Sequence, residues 1–367
     1  MSSAEAVPSG RGTKTRALLA LTLIAISLLV GLGLSEIALR ITGFPPSRPV
    51  GKRLVSDPTR PDRFLHCYPS NPTGELGPAP RLDGRGWVVT DFVTGARVGG
   101  PETLAATPFC VEYKFSSDRL RDDELSDRPE RGRRRIVLAG DSFAFGEGVP
   151  ASLTLDKHLE RELGPNLQVI NGGASGLRTS DELGIVSSLC ERFAAPFAIV
   201  VFVPNDVSLS PALEERERAL HRLSSPTALE HHSPFKTLAL LERIRWAQEL
   251  TDDTIAWYSD AYDAKVNPVG LESLRSSFER LREQRCGVSL VIFPLLERLD
   301  AYPFAEIHRE VTRLATKAGL PVLDLLPAFE GLPTKSLWAH PLDHHPNGRA
   351  HAIAAKAIAS WVHGRAP

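Results

Sequence analysis

The chain has 367 residues, of which 42% are hydrophobic, and its 43 basic and 44 acidic side chains leave a formal net charge of -1. This length is enough for one domain of about 230 residues and a further segment. The balanced charge excludes the strongly basic surface with which proteins bind nucleic acid, so no nucleic-acid partner is expected. The four cysteines lack the spacing of a zinc site or of a redox Cys-x-x-Cys motif, and we predict neither a metal nor a cofactor.

An uncharged apolar run from Ala17 to Ser35 follows a short tail, residues 1–16, that carries basic side chains. As a helix the run would span roughly 28 Å, close to the hydrocarbon core of a bilayer, which is about 30 Å thick. A cleaved signal peptide, the alternative, has a shorter apolar core and small residues at its cleavage site, to which Gly33-Leu34-Ser35-Glu36 at the end of this run is a poor match. We predict a single-pass signal anchor over residues 17–35, with the tail in the cytoplasm. The large C-terminal part would then lie outside, in the periplasm or the extracellular space.

Residues 36–132 are rich in proline and glycine, which excludes a long helix. Short alternating patterns at Trp87–Val89 and Val111–Phe115 predict strands. We therefore predict a stalk and a small β-rich segment that packs on the main domain.

The cysteines divide into two pairs by position. Cys67 and Cys110 lie in the β-rich segment, where a disulfide between them is one of two open alternatives if the segment is outside the cytoplasm. Cys190 lies on a helical pattern and Cys286 just before a strand, and we expect both to be buried free thiols.

Residues 133–367 alternate short apolar runs with amphipathic helical patterns. The predicted strands are Ile136–Ala139, Leu167–Ile170, Ala198–Val203, Val288–Phe293 and Pro321–Leu325. Repeated alternation of strand and helix implies a parallel sheet covered by helices on both faces. The predicted fold class is therefore α/β, a three-layer α/β/α sandwich with a five-stranded parallel sheet.

The interval 207–284, between the third and fourth of these strands, is too long for a simple crossover. Helical stretches at Leu213–Leu223 and Lys236–Leu250 predict a helical insertion beside the mouth of the site. Its aromatic residues, Trp257, Tyr258 and Tyr262, are interpreted as packing residues, with a sugar-binding platform as the alternative.

The first predicted strand of this domain runs directly into Gly140-Asp141-Ser142, with Gly146 and Gly148 shortly after. Open α/β sheets place their ligands at the carboxyl ends of their strands, so Ser142 is a candidate nucleophile. An ordinary turn in which Asp141 caps the next helix is the alternative.

An acid and a base stand together near the end of the chain. Asp343 and His345 lie roughly two hundred residues after Ser142 and immediately before Pro346-Asn347. A serine hydroxyl needs a general base to accept its proton, and the base needs a carboxylate that orients it and stabilises the imidazolium. His344 is a rival to His345 for the role of base.

Four short blocks, spread over about two hundred residues, are similar to those of the SGNH or GDSL-type hydrolase family, in the family's order. They are Gly140-Asp141-Ser142, Asn171-Gly172-Gly173-Ala174-Ser175-Gly176, Val203-Pro204-Asn205-Asp206 and Asp343-His344-His345. The resemblance covers roughly residues 133–365 and implies a flavodoxin-like fold.

The resemblance also implies roles for particular residues. Ser142, Asp343 and His345 would form a catalytic triad, and Pro346-Asn347 matches the family's pattern after the catalytic histidine. The backbone N–H groups of Ser142 and Gly176 and the side-chain amide of Asn205 would form the oxyanion hole.

The predicted function is that of a membrane-anchored, extracytoplasmic serine esterase that hydrolyses O-acyl esters, O-acetyl esters among them, of a glycan or lipid. The first alternative is an O-acyltransferase of envelope or exopolysaccharide assembly with the same triad. The second is a non-catalytic binding or scaffold protein of this fold, which the sequence supports only through Val203-Pro204, where the family usually has glycine. Protein partners cannot be inferred from the sequence.

Overall fold

The computed structural model describes residues 11–46, 51–57, 59–80, 87–91, 95, 97–99, 101–224 and 233–364. The first ten residues of the predicted cytoplasmic tail lie outside this set. The chain forms two compact units, Met1–Pro49 with Leu229–Glu249, and Val50–Ala228 with Leu250–Pro367.

From residue 134 onward, one or more helices of the described residues lie between successive strands, except between the last two strands. The helices are α1 (Arg11–Thr42), α2 (Ser142–Phe145), α3 (Leu155–Leu163), α4 (Thr179–Arg192), α5 (Pro211–Ser224), α6 (Lys236–Ala261), α7 (Pro268–Arg282), α8 (Ala305–Lys317), α9 (Leu326–Phe329) and α10 (Gly348–His363). The strands are β1 (Arg53–Ser56), β2 (Arg63–Tyr68), β3 (Gly77–Pro78), β4 (Val88–Asp91), β5 (Arg97–Gly99), β6 (Phe109–Lys114), β7 (Arg134–Gly140), β8 (Leu167–Gly173), β9 (Phe197–Phe202), β10 (Gly287–Ile292), β11 (Val322–Asp324), β12 (Trp338–His340) and β13 (Asp343–Pro346).

The first unit contains α1 and the beginning of α6. Within α1, residues Arg16–Thr42 are long and apolar enough to cross a membrane, with a mean hydropathy of 2.6 over the most apolar 18 residues, and this is the one such helix among the described residues. The predicted span over residues 17–35 lies inside this segment, and the helix continues beyond it to Thr42. A helix that is apolar on all sides and exposed is typical of a membrane span.

The N-terminal part of the second unit is a six-stranded sheet in the order β3-β6-β2-β1-β4-β5. Its paired strands run antiparallel. Successive side chains of a strand point to opposite faces. Leu65 and Cys67 of β2 therefore pack in one small core, while Tyr68 packs in another that also contains Tyr113 and Phe145. The sequence predicted β4 and β6, whereas β1 and β2 were not predicted.

The larger sheet has the order β11-β10-β9-β7-β8, and all its strand pairs are parallel. The predicted five-stranded parallel sheet is confirmed. The chain passes from β7 to β8 on one side and then returns across β7 to β9, so the strand order reverses at β7. Ligands of open α/β sheets bind at such a reversal point, outside the carboxyl ends of the strands.

Helices cover both faces of this sheet. On one face, Leu138 of β7 packs in a core with Leu159 of α3 and Ile358 of α10. On the opposite face, Val137 of β7 packs in a second core with Phe278 of α7. The three-layer α/β/α architecture follows from this alternation of buried side chains along each strand.

Two disulfides link described residues. Cys67 and Cys110 face each other across β2 and β6 and are bonded, so the open alternative resolves in favour of a disulfide. The prediction of free thiols at Cys190 and Cys286 is wrong, because these residues are also bonded, with Cα atoms 6.4 Å apart. The sequence places them 96 residues apart, and only the packing of α4 beside the segment before β10 brings them together.

The described part of the interval 207–284 is helical, with α5, α6 and α7. The side chain of Trp257 is buried, and its indole N–H donates to the carbonyl oxygen of Leu213 at 3.2 Å. Tyr262 donates its hydroxyl hydrogen to the carbonyl oxygen of Pro204 at 2.9 Å. These aromatic residues therefore pack within the second unit, as the sequence interpretation favoured.

Candidate active site

Ser142 stands at the carboxyl end of β7, where the strand turns into the short helix α2. Asp141 caps this helix, because its Oδ1 accepts the backbone N–H of Phe143 at 2.9 Å. Gly173, on the neighbouring strand β8, makes room for the turn, since a Cβ atom there would lie 2.2 Å from the backbone nitrogen of Phe145. The local sequence thus holds the serine hydroxyl at the predicted edge of the sheet.

Ser142, His345 and Asp343 form one continuous hydrogen-bonded chain. The Oγ atom of Ser142 lies 2.9 Å from Nε2 of His345. Nδ1 of the same imidazole lies 2.5 Å from Oδ1 of Asp343. The structure therefore brings together the three residues that the sequence proposed as a triad.

The alternation of side chains along β13 shows which of the two adjacent histidines faces Ser142. Alternate residues of a strand point to opposite sides, so Asp343 and His345 share a side and His344 faces away from it. The imidazole of His344 stacks on the indole of Trp338, with the ring centroids 3.7 Å apart. His345 is thus the histidine that contacts Ser142.

The second oxygen of Asp343 is held by two residues of the N-terminal part of the same unit. Oδ2 accepts hydrogen bonds from the ammonium group of Lys52 at 2.8 Å and from the hydroxyl of Tyr68 at 2.6 Å. Both side chains are buried. Sequence analysis missed these residues, because nothing in the local pattern around either of them indicates a partner almost three hundred residues away.

Glu147 is a further buried carboxylate beside the triad. Its Oε1 accepts from Lys52 at 3.0 Å, and its Oε2 accepts from the hydroxyl of Ser175 at 2.9 Å. Oε2 also lies 3.9 Å from Nε2 of His345. The sequence contains an indication that Glu147 belongs to the site, since it is the one charged residue of the otherwise uncharged stretch Ser142–Val149.

The charges around the triad shift several pKa values. Burial lowers the pKa of His345, but the carboxylates of Glu147 and Asp343 outweigh this effect and raise it to about 9. Burial raises the pKa of Glu147, but the positive charges of Lys52 and His345, with a smaller contribution from His66, lower it to about 2. Opposite charges within a few ångströms favour the ionised forms in this way. Glu147 is therefore ionised at neutral pH.

The same charges act on Lys52 and Asp343. Burial lowers the pKa of Lys52, but its two carboxylate partners raise it above its ordinary value. Burial raises the pKa of Asp343, yet Lys52 and His345 hold it well below its ordinary range.

Glu147, Asp343 and His345 offer three ligand atoms within 4.8 Å of one another, a spacing that would suit a metal ion. The ammonium group of Lys52 already bonds to both carboxylates and supplies a positive charge at that position.

The predicted oxyanion donors lie on the neighbouring strand ends. Asn205 follows β9, and its side-chain NH₂ group donates to Oδ2 of Asp141 at 2.9 Å. An amide NH₂ has two hydrogens, so one remains for a second acceptor. Gly176 lies in the exposed turn after β8 with a positive φ of 81°. Ser175, its neighbour, ties this turn to Glu147.

No family model matches the sequence, and no curated protein matches it. Solved structures with a similar fold include a lipolytic protein of the G-D-S-L family from Desulfitobacterium hafniense DCB-2, at 12% identity and a TM-score of 0.39, covering 62% of this chain and 99% of the other. Another is Est24, a carbohydrate acetylesterase from Sinorhizobium meliloti, at 13% identity and a TM-score of 0.35, covering 63% and 99%. A third is a two-domain esterase active on acetylated mannans, at 14% identity and a TM-score of 0.36, covering 63% and 49%.

At these identities and TM-scores the likeness to solved structures is distant. Numbered along the chain, the strands of the larger sheet have the order 2-1-3-4-5 of flavodoxin-like folds, which the sequence resemblance implied. The four blocks are similar in kind and order to those of the SGNH or GDSL-type hydrolases, the family that the sequence resembles.

Proposed function

We propose that the chain is a membrane-anchored serine esterase that acts outside the cytoplasm on O-acyl esters of a glycan or lipid. The observation that carries this proposal is the hydrogen-bonded chain from Ser142 through His345 to Asp343, with consecutive distances of 2.9 and 2.5 Å. A nucleophile within hydrogen-bond reach of a base, which is itself oriented by a third group, is the arrangement that acyl transfer requires.

In the proposed reaction, Ser142 Oγ attacks the ester carbonyl carbon while its proton passes to Nε2 of His345. The imidazolium then carries one positive charge between the carboxylates of Asp343 and Glu147, which stabilise it. Collapse of the tetrahedral intermediate expels the alcohol, which takes the proton from His345, and leaves an acyl-enzyme. Water, deprotonated by the same imidazole, then attacks the acyl-enzyme; Ser142 Oγ leaves with the proton that His345 returns, and the carboxylic acid is released.

The oxyanion would be stabilised by the backbone N–H groups of Ser142 and Gly176 and by the second hydrogen of the Asn205 amide. Asp141 supports this role, because its bond to the first hydrogen fixes the rotation of the amide. A preorganised donor of this kind contributes about 3 to 4 kcal/mol to transition-state stabilisation.

Two features support the proposed location. The apolar segment Arg16–Thr42 is long enough to serve as an anchor. The disulfides Cys67–Cys110 and Cys190–Cys286 are typical of proteins in oxidising compartments outside the cytoplasm. Together they favour a catalytic domain in the periplasm or outside the cell.

The adjacent histidines offer a matched pair of variants for the test. The full-length protein is assayed with p-nitrophenyl acetate, a longer-chain ester and an O-acetylated glycan, as wild type and as Ser142→Ala, His345→Ala and His344→Ala. A fluorophosphonate probe with intact-mass detection reports the reactive serine. We expect Ser142→Ala and His345→Ala to lose activity by on the order of 10⁴-fold, and His344→Ala to retain it.

The outcomes separate the alternatives. Labelling at Ser142 without release of product into water, but with transfer to an added sugar, would favour the O-acyltransferase. Neither labelling nor turnover by a folded protein would favour a binding or scaffold role. Equal losses in the two histidine variants would contradict the assignment of the base.

A further inference from the structure

The membrane-type helix α1 and the beginning of α6 are joined by hydrogen bonds within the first compact unit. Oε1 of Glu36 accepts the backbone N–H of Lys236 at 3.1 Å. Oε2 accepts the backbone N–H of Thr237 at 2.9 Å and its hydroxyl at 3.0 Å. A carboxylate from α1 therefore satisfies the free N–H groups of the first turn of α6, as a helix cap does.

Two further bonds hold the same junction. Arg40, one turn after Glu36 in α1, donates to the carbonyl oxygen of Pro234 at 2.8 Å. The ammonium group of Lys236 donates to the carbonyl oxygen of Pro45 at 2.8 Å. The start of α6 is thus fixed beside the last turns of α1 from both directions.

The hydrogen bonds of this junction fix the position of the start of α6 along the apolar segment of α1. Glu36 precedes Thr42, the last residue of the candidate span, by six residues. At the rise of an α-helix this corresponds to about 9 Å. If α1 spans a membrane, the first turns of α6 lie at the boundary between the hydrocarbon and the polar headgroups, a layer several ångströms deep.

The exposed residues of α6 change character with distance from the junction. Exposed apolar side chains stand at its beginning and in the residue before it, namely Phe235, Leu238, Leu241 and Ile244. The exposed side chains of the following turn are mostly polar, including those of Arg245, Gln248 and Glu249. The exposed side chains of α6 are therefore mostly apolar over its first turns, which begin at the junction, and mostly polar in the turn that follows.

We propose that Phe235, Leu238, Leu241 and Ile244, here called the juxtamembrane apolar surface, insert into the interfacial lipid layer of the membrane that α1 spans. Lipid is the occupant because the hydrogen bonds of Glu36 and Arg40 hold the start of α6 beside α1, whose neighbouring apolar side chains are exposed, Ile37 by 56% and Leu34 by 64%. Amphipathic helices at a bilayer surface bury their apolar side chains in this interfacial layer. The inference rests on α1 spanning a membrane and does not depend on esterase chemistry.

The test uses the full-length chain in phosphatidylcholine vesicles, with single cysteines introduced as Leu241→Cys and Gln248→Cys. Position 248 is the matched control, since seven residues make about two turns and place it on the same side of α6. Without reductant, the bonded native cysteines do not react with a maleimide fluorophore. Retention in vesicles after alkaline extraction shows that α1 is inserted, and unchanged melting temperatures show that both variants fold.

We expect a nitroxide lipid with a shallow label to quench the fluorophore at position 241 at least twofold more strongly than at position 248. Aqueous iodide should show the reverse preference. Equal iodide quenching at both positions in a retained protein would overturn the proposal. Protection of position 241 from both quenchers, with energy transfer between labelled chains, would overturn it in favour of contact with a second copy.

Discussion

The ammonium group of Lys52 lies 2.8 Å from Oδ2 of Asp343, although 291 residues separate them in the chain. Lys52 also bonds Glu147, and Tyr68 donates a second hydrogen bond to Asp343. Residues 36–132, which we predicted to form a stalk and a small β-rich segment, thus contribute directly to the surroundings of the candidate triad. The effect of these contacts on catalysis can be measured with variants.

Glu147 and Lys52 should shift the pH dependence of activity in opposite directions. His345 must be neutral to accept a proton, so activity should rise with pH as the group with a pKa of about 9 loses its proton. Glu147 raises the pKa of His345 and Lys52 lowers it. In Glu147→Gln the rising limb of kcat/KM should therefore move to lower pH, and in Lys52→Met to higher pH.

The measurement is a kcat/KM profile from pH 5 to 10.5 for the wild type and both variants. Melting temperatures provide the control, since removal of one member of a buried ion pair destabilises a protein by about 3 to 5 kcal/mol. A shift of the rising limb in the same direction in both variants would contradict the electrostatic assignment. His344→Ala should leave the limb in place.

Tyr68→Phe should lower kcat more than it changes KM. The variant removes a hydrogen bond of 2.6 Å to the charged carboxylate of Asp343, an interaction that contributes about 1.5 to 3 kcal/mol. If most of this energy acts on the orientation of His345, kcat falls by about 10-fold or more.

Tyr113→Phe is the matched control for Tyr68. Its hydroxyl accepts the backbone N–H of Gly148 at 2.8 Å, and its ring packs in the same small core. We expect a lower melting temperature with a smaller loss of kcat. A loss of kcat in Tyr113→Phe equal to that in Tyr68→Phe would indicate general destabilisation of this core instead of positioning of Asp343.

Asn205→Ala should reduce kcat by about 10² to 10³-fold, the usual loss for one oxyanion-hole donor, with little change in KM. The buried Asn267 provides the comparison, because its amide donates to the carbonyl oxygens of Ser208 and Ala261 at 2.9 Å. Asn267→Ala should lower stability and leave the kcat of the folded protein nearly unchanged. A normal kcat in Asn205→Ala would exclude it from the oxyanion hole.

Removal of either disulfide by paired serine substitutions should destabilise the second unit. The loops closed by Cys67–Cys110 and Cys190–Cys286 span 43 and 96 residues. Loop-closure entropy then predicts losses of about 4 and 5 kcal/mol in the free energy of unfolding. Denaturant unfolding of the double variants, with and without reductant, checks this; unchanged midpoints would show that the thiols are not bonded in solution.

Local sequence patterns predicted the elements that depend on short-range order. The apolar run before Gly140 indicated a buried strand, and the alternation of strands and helices indicated the parallel sheet, because burial on both faces of a sheet leaves a direct imprint on the sequence. The four blocks gave the same trio of Ser142, Asp343 and His345 that the structure joins by hydrogen bonds. Even the preference for His345 over His344 agrees with the strand geometry of β13.

Tertiary structure alone decided which distant side chains surround that trio. Lys52 and Tyr68 are separated from Asp343 by most of the chain, and neither has a local pattern that marks a partner. The pairing of Cys190 with Cys286 likewise depends on which face of the sheet α4 covers. Periodicity records whether a residue is buried, but not which residue it meets, since long-range contacts are set by how whole elements pack.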